Sequence, residues 1–264
     1  LYRDRNTPIR VTPFVEAHGA FGHGSNSTIL KLYDMPGVDL KRPLLSRTSL
    51  CQNMCSHQIC AVCARANLNP KGAPRKDQAR HISLSPGQKW ASDMTGPISP
   101  AGFNGHLYRC VFLDISSRFL FVFTMASKSD YYSILVLWMT YIKGMGYAPK
   151  TIVLRTDAAP EMNDSLCKAF YLLHGIKHEV SAPTVHTDNP YAENVIEKIS
   201  RVSRALLLAA GMPDDYWPLS NVHVATIWNA MPHKSVLTTP YHVMTSVHYN
   251  YGQLRPFGQN CFVV

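Results

Sequence analysis

The chain has 264 residues, 46% of them apolar, which is enough for one sizeable hydrophobic core and a smaller module and too many for a disordered polypeptide. Its net charge of +9 favours a polyanionic partner, although a basic surface that binds nothing fits the charge as well. Seven cysteines, four of them between residues 51 and 63, suit metal binding in a reducing compartment better than a disulfide framework, and no apolar run nears the roughly 20 residues of a membrane span.

Residues 1 to about 80 read as irregular, with Ile29-Leu30-Lys31-Leu32 the strongest helical turn. Within them His18 and His23 are separated by four residues, and Cys60 and Cys63 follow after a gap of 36. Two imidazoles and a close thiol pair supply the nitrogen and thiolate ligands of a closed tetrahedral structural Zn²⁺ site. Such a site would contribute folding energy to a segment too polar to build its own core. Cys51, Cys55 and His57 lie nearby, and Cys55 is the substitute if one of the histidines is not a ligand. Residues 69 to 80 form a basic, Pro- and Gly-bearing linker. Lys71, Arg75, Lys76 and Arg80 there are either a stripe that tracks a polyanion or a merely solvated connection.

Regular structure is expected from about residue 86. Strands are predicted around Lys89 to Thr95, Leu107 to Ile115 and Arg118 to Met125, the last two joined as a hairpin through Ser116-Ser117. A helix follows from Asp130 to Gly144, a strand from Lys150 to Thr156, a helix from Ala159 to Leu173 ended by Gly175, and a strand from Ile176 to Ser181. A long helix from about Pro190 to Ala210 carries Ile196, Ile199, Val202, Leu206 and Leu207 at helical spacing, and another runs from Asp214 to Ala230. Trp90, Trp138, Trp217 and Trp228 stand at apolar positions as packing residues. His174, His178 and His186 match no metal spacing and read as surface or satisfied core histidines.

Three acidic residues stand out by their settings. Asp93 lies near the end of the first strand, before Thr95-Gly96-Pro97. Asp157 terminates the β-branched run from Thr151 to Arg155. Glu193 sits behind Asn189-Pro190 at the mouth of the long helix, with 35 residues between it and Asp157. Two strand ends and a first helical turn can meet at one edge of a sheet. Converging carboxylates offer the oxygen ligands that Mg²⁺ or Mn²⁺ prefers. Two such ions about 3.5–4 Å apart can activate a hydroxyl and stabilise the leaving oxygen of a phosphodiester.

These residues resemble the integrase of copia-type (Pseudoviridae-like) LTR retrotransposons over nearly the whole chain. Asp93, Asp157 and Glu193 meet the family's pattern of two Asp and a Glu. Leu107 to Arg118 is similar to its second strand with Asp114 and Ser117-Arg118, and Ser127-Lys128-Ser129-Asp130 to its helix entry. Tyr216-Trp217, Thr239-Pro240-Tyr241, Leu254 to Gly258 and Cys261-Phe262-Val263 follow in the family's order. The resemblance implies an RNase H-like α/β fold, a mixed five-stranded sheet flanked by helices and preceded by an HHCC zinc module. The domains would be 1–68 for that module, 69–85 for the linker, 86–235 for the catalytic core and 236–264 for the start of the C-terminal region. It implies an enzyme, a polynucleotidyl transferase with Asp93, Asp157 and Glu193 holding two Mg²⁺ or Mn²⁺ ions, and His18, His23, Cys60 and Cys63 holding one Zn²⁺. The reaction would be 3′-end processing of element cDNA followed by strand transfer into target DNA. Nucleic-acid contacts are assigned to Lys71, Arg75, Lys76, Arg155, Lys198, Arg201 and Arg204, with Arg155 equally open to pairing with a carboxylate. The partners would be both DNAs, further copies of the chain and the rest of a Gag-Pol polyprotein, of which a chain starting at Leu1 reads as a segment. The setting would be a cytoplasmic virus-like particle and then the nucleus, with no membrane.

The chain also departs from that pattern. Ala158-Ala159-Pro160 replaces the family's Asn-Gly turn after the second Asp. Asn189-Pro190-Tyr191-Ala192 replaces Asn-Gly-Val-Ala before the Glu, where Pro190 can start the helix. Asn194-Val195-Ile196-Glu197 replaces Arg-Lys-Asn-Arg after it, removing cations that would face DNA. A catalytically decayed or domesticated DNA-binding relic is therefore the alternative to a live enzyme.

Overall fold

The computed structural model describes residues 18–35, 60, 62–63, 66, 84–146, 151–181, 190–233 and 235–259. Along them run α1 (Asn26–Tyr33), β1 (Lys89–Thr95), β2 (Tyr108–Asp114), β3 (Leu120–Met125), α2 (Tyr131–Gly144), β4 (Ile152–Thr156), α3 (Ser165–Leu173), β5 (Ile176–Val180), α4 (Pro190–Ala210), α5 (Trp217–Ala230) and α6 (Pro240–Thr245). The strands form one sheet in the order β3-β2-β1-β4-β5. β1, β2 and β3 pair antiparallel, and β4 joins β1 and β5 in parallel. This is the expected RNase H-like arrangement. Among the described residues no helix is long and apolar enough to cross a membrane.

Strand alternation assigns the two faces. Trp90, Cys110, Phe112 and Leu154 point to one side, where Tyr131, Leu135 and Trp138 of α2 and Cys167 and Phe170 of α3 cover them. Ala91, Val111, Leu113 and Val122 point to the other, under Val195, Ile199 and Leu206 of α4 and Val224 and Ile227 of α5. Both layers are thus closed against water. The same second core takes in Phe21, Ile29 and Leu32 from the N-terminal segment and Tyr251 and Leu254 from the C-terminal one. Trp90, Trp138 and Trp217 are buried as expected, and Trp228 is half-buried with its indole N–H donated to the Arg118 carbonyl at 2.8 Å.

Two helices start later than periodicity suggested. The predicted Ala159–Leu173 helix is a 3₁₀ turn over Pro160–Met162, then α3. Asp164 divides them, because its carboxylate accepts from the Cys167 N–H at 2.7 Å and caps the new helix. Likewise Asp214–Tyr216 is a 3₁₀ turn and α5 begins at Trp217. The apolar spacing runs through both junctions, so periodicity could not show the break. The short helix α6 has Thr239 as its cap and Pro240 in its first turn, a start signal that six residues of pattern are too few to reveal.

The β2–β3 hairpin explains the Asp114 and Ser117-Arg118 motif. The buried Asp114 carboxylate accepts from the N–H of Ser117 at 2.7 Å and from its hydroxyl at 2.5 Å. Burial pushes the Asp114 carboxyl above its usual range. Arg118 takes the left-handed conformation, φ 64°, which closes the turn back onto the Asp114 carbonyl. Gly96, beyond Asp93, is required by its own geometry: φ is +146°, and an added Cβ would stand 2.6 Å from the Leu107 carbonyl oxygen.

β3 is an edge strand, and its exposed peptide groups are answered by a side chain. Asn229 of α5 accepts from the Leu120 N–H and donates to the Leu120 carbonyl, both at 2.8 Å. Asn229→Ala would leave a buried donor and acceptor without partners, so it should cost about 2–4 kcal/mol. A denaturant midpoint unchanged from the parent would refute this role.

Candidate metal centres

Asp93 sits on β1 with its side chain on the α4 face, because it pairs across the ladder with Val111. Asp157 follows the last residue of β4, and Glu193 lies in the first turn of α4. The parallel pairing of β1 with β4 sends both strands toward the same end of the sheet. The three carboxylates come within electrostatic reach: the Asp93 carboxyl is pushed up from 3.8 to about 6, chiefly by burial and further by the charges of Asp157 and Glu193. The Met94 N–H, 2.7 Å from its Oδ1, works in the opposite direction. The three do not close into a tight ligand cluster among the described residues.

Asp157 is held without the family's Asn-Gly. Its Oδ1 accepts from the Ala159 N–H at 3.2 Å, and Asn163 Nδ2 donates to the Ala159 carbonyl at 2.8 Å. Asn163 is the residue that inspection of the motif missed; it lies six positions on and ties the turn from outside it. Ala158 itself is exposed.

The second centre is tighter. One ligand atom from each of His18, His23, Cys60 and Cys63 lies within 4.8 Å of all the others. His18 Nε2 is 3.1 Å from Cys63 Sγ, and His23 Nδ1 is 3.5 Å from Cys60 Sγ and 3.7 Å from Cys63 Sγ. Bond lengths of about 2.0–2.3 Å to a tetrahedral zinc require edges of roughly 3.3–3.8 Å; the two His23 separations fall in that range and the His18 one, at 3.1 Å, is slightly shorter. The two thiols pull in opposite directions: the Cys63 hydrogen bond holds Cys60 well down, while that bond and burial push Cys63 up. Local folding makes the cluster. His18 opens a short turn that ends at His23, φ 58°, whose N–H returns to the His18 carbonyl at 2.9 Å. Cys51, Cys55 and His57 lie outside the described residues.

The expected nucleic-acid contacts divide. Lys71, Arg75 and Lys76 lie outside the described residues. Arg155 pairs across the ladder with Glu179, whose carboxyl is held below its usual range by its hydrogen bond to Lys89 and then by the nearby cations Lys89, Lys177 and Arg155. Lys198 stands 5.4 Å from the centre of the Trp228 ring, and Arg201 is ion-paired with Glu197 one turn back. Arg204 is exposed. Among the unassigned histidines, His178 shares a 2.8 Å hydrogen bond with Thr156 and is satisfied, and His174 is half-buried against Phe170.

Residues 83–186 match the Integrase core domain family, a span that includes Asp93 and Asp157 and ends before Glu193. The chain is 25% identical over 172 residues to the retrovirus-related Pol polyprotein from transposon TNT 1-94 of Nicotiana tabacum, covering 65% of this chain and 13% of that protein. It is 22% identical over 232 residues to the retrovirus-related Pol polyprotein from transposon RE1 of Arabidopsis thaliana, covering 86% of this chain and 15% of that one. The chain therefore spans only a small part of these relatives. The HTLV-2 integrase catalytic core domain, solved in complex with magnesium in a trimeric form, aligns with 62% of this chain and 99% of its own, at 15% identity and a TM-score of 0.48. Residues 83–186 thus match an integrase core, and most of the chain is similar to part of these retrotransposon Pol polyproteins.

Proposed function

We propose that this chain carries out two-metal DNA integration, with Asp93, Asp157 and Glu193 as the ligands of two Mg²⁺ or Mn²⁺ ions. The observation that supports this reading is the convergence of Asp93, Asp157 and Glu193, supplied by three different elements, to within electrostatic reach of one another. An all-oxygen donor set with uncompensated negative charge suits hard divalent cations. Bound there, the ions would activate a water or a 3′ hydroxyl and stabilise the leaving oxygen of a phosphodiester. The residues themselves hold position: β1 and β4 fix the two aspartates on adjacent strands, and α4 brings the glutamate to them. His18, His23, Cys60 and Cys63 would hold one structural Zn²⁺ that shapes the N-terminal segment. Element cDNA ends and target DNA are the proposed substrates, and further copies of the chain the proposed partners.

The relic reading draws on α4. Glu197 occupies the outer stripe of that helix one turn after Glu193 and binds Arg201, so an acid and a neutralised cation stand where the family presents free cations. A Mn²⁺-dependent strand-transfer and disintegration assay separates the two readings. Activity abolished by Glu193→Gln is the expected outcome. Silence of the parent with activity in Ala158→Asn would mark a decayed enzyme, and silence of both with DNA binding intact would favour the relic.

The Asp93 carboxyl gives a pH signature in metal-free protein. Its folded value near 6 exceeds the ordinary 3.8, so the folded state binds the proton more tightly than the unfolded one. That contribution is complete below the ordinary value and is lost as pH rises through about 6. Above that pH, Asp93→Asn should be more stable than the parent by about 2–3 kcal/mol, a gap that closes as the pH falls toward 4. Divalent ions should raise the melting temperature of the parent and not that of the variant; an equal rise in both would count against Asp93 as a ligand.

Zinc removal should act elsewhere. The purified chain is expected to hold one zinc, and Cys63→Ser should reduce that occupancy and lower the melting temperature. Unchanged melting after complete zinc chelation would remove its structural role.

A further inference from the structure

Arg109 is buried in β2, 4% exposed, in a setting that packing does not explain. Its guanidinium meets no carboxylate among the described residues. Nη2 donates to Ser200 Oγ at 2.8 Å, Nη1 to Asn221 Oδ1 at 3.4 Å, and Nε has no partner. Burial lowers its pKa to about 10, which still leaves it charged at neutral pH. A buried cation without a counter-ion costs stability relative to an apolar side chain of the same volume.

Its place in the ladder supplies a reason. Arg109 pairs with Thr95 and Val111 with Asp93, so Arg109 and Asp93 lie on the same face of the sheet. Ser200 follows Glu193 by seven residues, about two turns or roughly 10 Å along the helix, and so lies on the same side of α4. Ser200 also donates to the Ile196 carbonyl at 2.9 Å, which fixes the oxygen that Arg109 binds. At the other end of β2 a second arginine reaches the same helix. The Arg118 guanidinium stands 4.7 Å from the centre of the Tyr191 ring, two residues before Glu193, with its Nε donated to Ser235 Oγ at 3.0 Å. The two anchors bracket Glu193 along α4.

We propose that Arg109 and Arg118 are positioning residues, which reach α4 from the two ends of β2 and set the height of Glu193 over the strand that carries Asp93. The inference rests on the reading of the three carboxylates as metal ligands. The two anchors hold α4 at Tyr191 and Ser200, on either side of Glu193.

The test is Mn²⁺ affinity of the zinc-loaded chain, read from the electron paramagnetic resonance of free Mn²⁺, with melting and zinc content measured in parallel. Arg109→Met and Arg118→Met should each weaken Mn²⁺ binding by about 10-fold, the scale of a lost ligand-orienting contact, with zinc content unchanged. Arg109→Lys should fail to rescue, since an ammonium keeps the charge but cannot span Ser200 and Asn221. Ser200→Ala removes one oxygen and decides the matter if Arg109→Met does not fold; it should weaken binding in the same direction. Lower melting temperatures with Mn²⁺ affinity equal to the parent's would overturn the proposal, as would full rescue by Arg109→Lys. Mn²⁺ binding unaffected by Glu193→Gln would instead overturn the metal-ligand reading itself, and this inference with it.

Discussion

The gathering of Asp93, Asp157 and Glu193 from β1, the end of β4 and the first turn of α4 is the constraint that the other elements must meet. The Asp93 carboxyl is raised first by burial and further by the charges of Asp157 and Glu193, so its charged form is costly there and the elements that carry the three groups must be held by other means. Asp93 is held by the backbone ladder between β1 and β2, where it pairs with Val111, and Asp157 directly follows β4, two residues past the last pairing of that strand with β1. Glu193 has no ladder. It depends on a single helix lying across the sheet, and that helix is secured by packing: Val195, Ile199 and Leu206 sit in the core above Ala91 and Val111.

The same helix ties the second centre to the first. Val62 and Ala66, which flank the Cys63 position, pack on Ala205 near the far end of α4. Phe21, between the two histidines, enters the core shared with α4 and α5, and Gly22 leaves no space for a Cβ, which would stand 2.9 Å from Ile227. The His/Cys quartet is thus built against the helices that cover the sheet. Tyr251, from the C-terminal segment, reaches the same place and donates its hydroxyl to the Ala230 carbonyl at 2.6 Å. Ordering of the N-terminal segment and seating of α4 are therefore mechanically linked through one apolar seam.

Much of this was legible in the residues. Strand alternation placed β1, β2 and β3 to within a residue or two, and the spacing of Ile196, Ile199 and Leu206 located α4 with its true ends. His18, His23, Cys60 and Cys63 were legible because metal chemistry restricts residue type and order. What escaped were contacts between residues remote in sequence, which carry no local signal. Asn229 completing the hydrogen bonds of Leu120 is one, and Arg109 reaching Ser200 is another. Asp164 was in plain view as a cap but was masked by apolar spacing that continues through it. Arg155 is different: the sequence leaves phosphate and carboxylate equally open, and the strand register sets Glu179 beside it, whose carboxylate accepts from Lys89.

That distinction bears on the departures from the family pattern. Ala158 removes a turn-forming dipeptide, yet the turn persists, because Asp157 Oδ1 and Asn163 hold Ala159 from both sides. The loss is offset by a neighbouring side chain four residues past Ala159, so it leaves the second aspartate in place. Glu197 is different in kind. It lies on the exposed side of α4 and its acid neutralises Arg201, a change of surface charge that no packing contact can offset. Framework and surface thus answer separate questions. On the proposed reading the three carboxylates would hold cations, and the pull on a polyanion would depend on the outer side of α4, where Lys198 and Arg204 stand near Glu197.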